Sequence, residues 1–459
     1  MSSSNTELLA KLDAYIEANI DRWIDELAKL CAIPSVSAKH EGIDECAALV
    51  ADMLRARGFE ASVMPTAGHP VVVGAAEGES PRTLLCYNHY DVQPAEPFEL
   101  WTSPAFELTQ RDGKLYARGV SDDKGEIVNR LAAIDALQAV LGKLPCNVKF
   151  VIEGEEEVSS VSLPDFIKEN TELLKADACL WEFGGINEDG ASEQYLGMRG
   201  ICYVELSVEK LTLDAHSGLG GSIFPHAAWR LVWALNTIKD PKTERVLIPG
   251  FYDNVVEPTQ RDMEMLAALP DESEKFKRIY GVERFTHDLS GVELQRESVF
   301  VPTCTICGLT SGYQGPGSKT VLPAKASAKI DFRLVPNQTP EEIVAKLRAH
   351  LDEQGFEDVK VELLGGEAPG RTDPDDPFVK LVVEKSAEVY GKPAVVRPMI
   401  GGSGPNHAFI EYLKVPIASV GAGYPGGRAH APDENIRIED FIRGVKHGVR
   451  VMLGFAELE

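Results

Sequence analysis

Runs with the two-residue period of a strand alternate with runs of helical period along this chain, break off near residue 200 and resume at Pro377. Strands alternating with helices build a mostly parallel sheet covered by helices, so the interruption predicts a second domain inserted into the first. Leu8, Leu12, Ile16, Ile20, Trp23, Ile24, Leu27 and Leu30 predict one amphipathic helix over residues 6–31. A second helical pattern from Cys46 to Leu54 stops at Gly58, and strand-like runs follow at Ala61–Met64, Val71–Val73 and Thr83–Tyr87. Ile127, Leu131, Ile134, Leu137 and Leu141 mark a helix ended by Gly142 and Pro145, before a strand through Val148, Phe150 and Ile152.

After Arg199 the character changes. Val204, Leu206 and Val208 alternate with Tyr203, Glu205 and Ser207, as in a strand with one wet face. A helix over Pro225–Ile238, a Pro-rich charged stretch to about residue 300, an alternating strand at Ala328–Leu334 and a helix from Pro340 to Gln354 complete the insert. The fold class is therefore α/β with two domains. A mostly parallel-sheet domain comes from residues 1–200 and 376–459, and an inserted α+β domain from 201–375.

Charge removes some functions. With 46 Lys+Arg against 71 Asp+Glu the net charge is −25, which argues against nucleic acid or anionic lipid as a partner. There is no run of about 18 apolar residues, so the chain reads as a soluble, cytoplasmic protein. The eight cysteines read as free buried thiols, and Cys304 and Cys307 as two strand residues, since no second C-x-x-C completes a zinc site.

Five distant segments carry metal-ligating residues where strands end, the place where α/β sheets bind ligands. His89 and Asp91 stand two apart on an extended segment and face the same way. Asp122 and Asp123 follow a glycine turn just before a helix, and Asp123 also suits an N-cap. Glu153, Glu155, Glu156 and Glu157 leave one apolar strand, a cluster eased by a cation or by solvent. Glu182 ends Ala178-Cys179-Leu180-Trp181, and His430 sits in the glycine-rich loop from Gly423 to Asn435. Together they offer the ligand mix of a two-metal hydrolytic site.

In order and wording these segments resemble the dinuclear zinc peptidase family of carnosine dipeptidases, succinyl-diaminopimelate desuccinylase, acetylornithine deacetylase and glutamate carboxypeptidases. Arg199-Gly200-Ile201-Cys202-Tyr203, Asp214-Ala215-His216-Ser217-Gly218 and Gly317-Ser318-Lys319-Thr320-Val321-Leu322-Pro323 are most similar to the dipeptidase branch. The resemblance implies two Zn²⁺ per subunit, with Mn²⁺ or Co²⁺ as substitutes, and a homodimer whose inserted domain serves as lid and dimerisation surface. It implies that His89, Asp122, Glu157, Glu182 and His430 bind metal, that Asp122 bridges the two ions, and that its peptide to Asp123 is cis. Asp91 would orient His89, and Glu156 would take the proton of a two-zinc-bridged water that attacks the amide. His216, supplied by the other subunit, would stabilise the oxyanion, and Arg333 in Asp331-Phe332-Arg333-Leu334-Val335-Pro336-Asn337 would hold the substrate carboxylate. Thr320, Gly402 and Ser403 would line the same pocket. The expected reaction is cleavage of dipeptides or short peptides with a free C-terminal carboxylate. An N-acyl amino acid deacylase or desuccinylase would use the same site, and a non-catalytic metal- or peptide-binding homologue would keep the ligands without needing Glu156 as base.

Overall fold

The structure is a computed structural model describing residues 3–458, and it divides into two compact units. The first comprises Met1–Leu196, Thr372–Pro398 and Ala408–Glu459, the second Gly197–Arg371 and Met399–His407.

The first unit is built on a six-stranded sheet. Its strands are β1 (Glu60–Met64), β2 (Val71–Ala76), β3 (Ser80–His89), β4 (Cys146–Glu153), β5 (Ala178–Trp181) and β6 (Ile417–Ser419). Their order across the sheet is β1-β2-β4-β3-β5-β6. The three pairings among β4, β3, β5 and β6 are parallel, and those of β1 with β2 and β2 with β4 are antiparallel. The sheet is thus mostly parallel, as its alternation with helices implies. Parallel strands put their carboxyl ends on one edge, so His89, Glu153, Glu182 and the segment after Ser419 emerge together. Leu84, Leu85, Cys86 and Tyr87 are fully buried on β3, flanked by a strand on each side.

Helices α1 (Ser3–Ala18), α2 (Ile20–Cys31), α3 (Ile43–Arg55), α4 (Lys124–Leu141), α5 (Pro377–Tyr390) and α6 (Ile438–Ala456) belong to this unit. The single helix expected over residues 6–31 is two. Asn19 turns out of helical geometry at φ −115°, and its side-chain amide donates to the Tyr15 carbonyl at 2.8 Å, a local bond that competes with the helix ladder. Gly142 closes α4 in the left-handed conformation, φ +80°.

The second unit carries a four-stranded antiparallel sheet in the order Thr303–Ser311, Lys325–Leu334, Gly200–Glu209, Lys360–Glu367. Cys202, Val204, Leu206, Ile330, Phe332 and Leu334 form its buried face together with Leu231 and Leu347 from helices Ala227–Asn236 and Pro340–Glu353. Thr339 begins the latter helix by accepting the Glu342 N–H, with Pro340 in the first turn. The charged stretch before residue 300 holds three helices, Gln260–Ala268, Ser273–Tyr280 and Gly291–Phe300. They escape periodicity because they are short and bury little; Ser273–Tyr280 buries no residue at all. Cys304 and Cys307 share a strand, but Cys307 is exposed, so seven of the eight free thiols are buried rather than all. Among the described residues no helix is long and apolar enough to cross a membrane.

Candidate metal centre

At the end of β3 the His89 Nδ1 faces the Asp91 carbonyl at 3.0 Å and its carboxylate at 3.4 Å. With Nδ1 turned to Asp91, Nε2 points outward, where it meets Asp122 Oδ1 at 2.9 Å. The other Asp122 oxygen lies 2.9 Å from His430 Nε2, which is also 3.1 Å from Glu157 Oε2. One carboxylate therefore stands between two imidazoles. Two groups of converging donors result, His89, Asp123 and Glu182 in one and Asp122, Glu157 and His430 in the other.

Three of the four carboxylates leaving β4 have hydrogen-bond partners of their own. Glu153 accepts from the Tyr87 and Ser160 hydroxyls, and Glu155 from the His69 and Ser162 N–H groups. Glu157 accepts from the Gln93 backbone and side-chain amides. Among the described residues the Glu156 carboxylate accepts no hydrogen bond. Burial, reinforced by Asp122, Glu157 and Asp91, pushes its pKa up to about 7, against the pull of His89. Asp91 accepts the N–H of both Glu156 and Glu157, so it holds the acidic loop as well as facing His89.

Asp123 occupies the N-cap position of α4 without capping it. Its carboxylate instead accepts from the Asn88 side chain and the His89 N–H, at 2.7 and 3.0 Å. The Asp122–Asp123 peptide is cis, as the resemblance implies. His430 follows at φ +60°, with the short strand Asn435–Arg437 between it and α6.

Every residue expected to bind metal lies in the first unit, whereas His216, Thr320, Arg333, Gly402 and Ser403 belong to the second. There Arg333 donates from Nη1 to Ser403 Oγ at 2.8 Å and from Nε to Asp331 at 3.1 Å, and Gly402 O accepts the Arg199 N–H. His216 is exposed, and its Nδ1 accepts the Gly218 N–H, which places the imidazole proton on Nε2. The Thr320 carbonyl accepts the N–H of Ser217 beside it. Gln93 and Glu434 are polar side chains of the centre to which motif reading gives no role, and Asp123 is one it reads as an N-cap; Glu434 stands inside the loop from Gly423 to Asn435.

The donor set fits divalent cations. Among the described residues Glu182 Oε2 is buried without a hydrogen-bond partner, 3.9 Å from His89 Nε2. Hydrogen bonds donated to Asp122 and Glu157 raise the pKa of His430 to about 10; burial opposes the charge on His89, but hydrogen bonds to Asp122 and Asp91 hold its pKa well above the usual range. Carboxylates that draw a proton onto each imidazole would be met equally by a cation.

Residues 85–454 match the peptidase family M20/M25/M40. The chain belongs to this family. Among its relatives, the Beta-Ala-His dipeptidase of Rattus norvegicus is 30% identical over 382 residues, covering 77% of this chain and 75% of the relative. The Cys-Gly metallodipeptidase dug1 of Schizosaccharomyces pombe is 28% identical over 463 residues, covering 95% and 96%. The crystal structure of the M20 family metallo-carboxypeptidase Sso-CP2 from Sulfolobus solfataricus superposes with a TM-score of 0.89 at 36% identity, over 95% of this chain and 99% of that one. As a member of the M20 peptidases the protein is a metal-dependent hydrolase of peptide bonds, of the two-domain α/β fold. Its family uses divalent metal and its substrates are small peptides.

Proposed function

We propose that the protein cleaves dipeptides, or similarly short amides ending in a free carboxylate, at a centre of two zinc ions. The observation that carries this reading is Asp122, whose two oxygens each meet a histidine Nε2 at 2.9 Å, next to a half-buried Glu156. The dipeptidases among its relatives support the substrate class. His89, Asp122 and Glu182 are assigned to one ion and Asp122, Glu157 and His430 to the other. Imidazole with carboxylate suits zinc, and manganese or cobalt as substitutes.

Bound there, the ions supply acidity to a water molecule and polarise the amide carbonyl. Glu156 takes the proton of the attacking water on its free carboxylate and delivers it to the departing nitrogen, a task suited to a base poised near neutrality. Asp91 keeps Glu156 and Glu157 in register through their backbone N–H groups. His216 is assigned as oxyanion donor through Nε2–H, supplied by the other subunit of a homodimer. Arg333, steadied by Asp331 and Ser403, offers a forked cation to the substrate carboxylate, with Thr320 and Gly402 as neighbours in that role. The dimer reading draws support from exposed apolar side chains on the second unit, among them the stacked Trp229 and Trp233, and Ile306 and Leu309. The eight unpaired cysteines support a reducing, cytoplasmic setting.

A panel of dipeptides against N-acetyl and N-succinyl amino acids, with Zn²⁺ or Mn²⁺ added, tests the substrate class. Dipeptide turnover is expected to be fastest. No dipeptide cleavage beside rapid N-acyl cleavage would make the protein a deacylase instead.

A further inference from the structure

Glu434 lies four residues after His430, is 0% exposed, and its two oxygens are shared among four donors. Oε1 accepts the backbone N–H of Ser121 at 2.8 Å and of Asp122 at 3.0 Å. Oε2 accepts Arg118 Nη1 at 2.6 Å and the Gly119 N–H at 3.1 Å. The turn it grips is tightly built: Gly119 sits at φ +84°, and a Cβ there would meet Val92 at 2.8 Å. Arg118 is itself held by the Pro94 carbonyl. All four partners are donors, so only a carboxylate matches them; an amide would turn its NH₂ toward N–H groups on one side or the other.

We infer that Glu434 is a positioning residue for the metal centre, fixing the backbone of Asp122 and tying the loop that carries His430 to the turn that carries Asp122. These two residues meet at 2.9 Å although they are far apart in sequence, and Glu434 is a direct bond between their segments. An Asp122 N–H held in place fixes the direction of its Cα–Cβ bond, and with it the position of both carboxylate oxygens between the imidazoles. Hydrogen bonds that orient metal ligands typically change metal affinity about 10- to 100-fold when removed. The neighbouring Asp433 separates this role from simple anchoring of the loop, because its carboxylate accepts from Thr102 N–H and hydroxyl and does not touch Asp122.

The inference rests on Asp122 and His430 being metal ligands. Titrating metal-stripped full-length protein with Co²⁺, read by its absorption spectrum and alongside thermal melting, tests both layers. Glu434→Gln is expected to weaken Co²⁺ binding about 10- to 100-fold and alter the ligand-field bands, while Asp433→Asn leaves both close to wild type. If Glu434→Gln does not fold, Glu434→Asp carries the test, since it keeps the charge and withdraws one methylene from the Ser121 and Asp122 N–H groups; weaker binding is again expected. Wild-type affinity and spectrum in a folded Glu434 variant, or an equal loss in Asp433→Asn, overturns the positioning role. Asp122→Asn is the separate check: unchanged Co²⁺ binding there would remove the ligand assignment itself.

Discussion

His89 and His447 are both buried imidazoles, and what stands beside each sets it in opposite directions. His89 faces carboxylates that outweigh its burial. Among the described residues His447 has only the Val382 carbonyl as a hydrogen-bond partner, and burial lowers its pKa to about 4. The folded state therefore keeps His447 neutral while the unfolded chain protonates it below about 6.5. Its contribution is fully present above that pH and is lost as pH falls toward 4, worth roughly 3 kcal/mol in all. His447→Gln is expected to flatten the fall in unfolding free energy between those pH values, measured by denaturant titration; an unchanged slope would show that His447 is not the sensor. Glu156 is tested by Glu156→Gln, which keeps shape and removes basicity. Metal content should stay at the wild-type level and turnover fall by about 10²- to 10⁴-fold. Turnover within a few-fold of wild type would end its role as base.

At the scale of elements, α4 shows best how packing goes beyond pattern. Its apolar period marks a helix, and every residue from Lys124 to Leu137 is buried, the polar ones included. The polar positions survive because each has a partner. Lys124 donates to the Leu30 and Ile33 carbonyls, Asn129 to Phe441 O, and Arg130 pairs with Glu126 while donating to the Trp181, Glu182 and Val420 carbonyls. Arg130 so links α4 to the strand end carrying Glu182. The first turn is as tight: a Cβ on Gly125 would meet the Val120 carbonyl at 2.0 Å. Gly125→Ala should push α4 away from the Asp122 turn and cost about 1–3 kcal/mol of stability, read from the unfolding midpoint. A midpoint equal to wild type would mean that the turn yields freely. His430 depends on an element of another kind, a glycine-rich loop whose position is set by hydrogen bonds between residues more than 300 apart in sequence, which no local pattern encodes.

For the whole molecule, Asp91, Asp122, Asp123, Glu156, Glu157 and Glu182 crowd one edge of the first unit's sheet, and a divalent cation bound there would relieve their repulsion. Ions bound to the folded form alone stabilise it by about 4 kcal/mol at a thousandfold excess over Kd. Chelation should therefore lower the melting temperature and Zn²⁺ should restore it; a melt indifferent to both would mean the centre binds no ion tightly. The net charge of −25 gives little sign of this, since most of the acidic excess lies elsewhere. The sequence by itself determined the two-domain α/β class, the strand ends and the segments bearing His89, Asp122, the glutamate cluster, Glu182 and His430, because periodicity and motif wording are local properties. It passed over the break at Asn19 and the three short helices before residue 300, where few apolar residues mark the period. Asp122 stands between two imidazoles, in keeping with the bridging place the resemblance implies, but only the tertiary structure decided that Asp123 turns to the His89 N–H rather than capping α4 and that Glu434 grips the Asp122 turn. Those outcomes depend on which donors a buried carboxylate finds once distant segments meet. The chain must close around such a group before its partners exist.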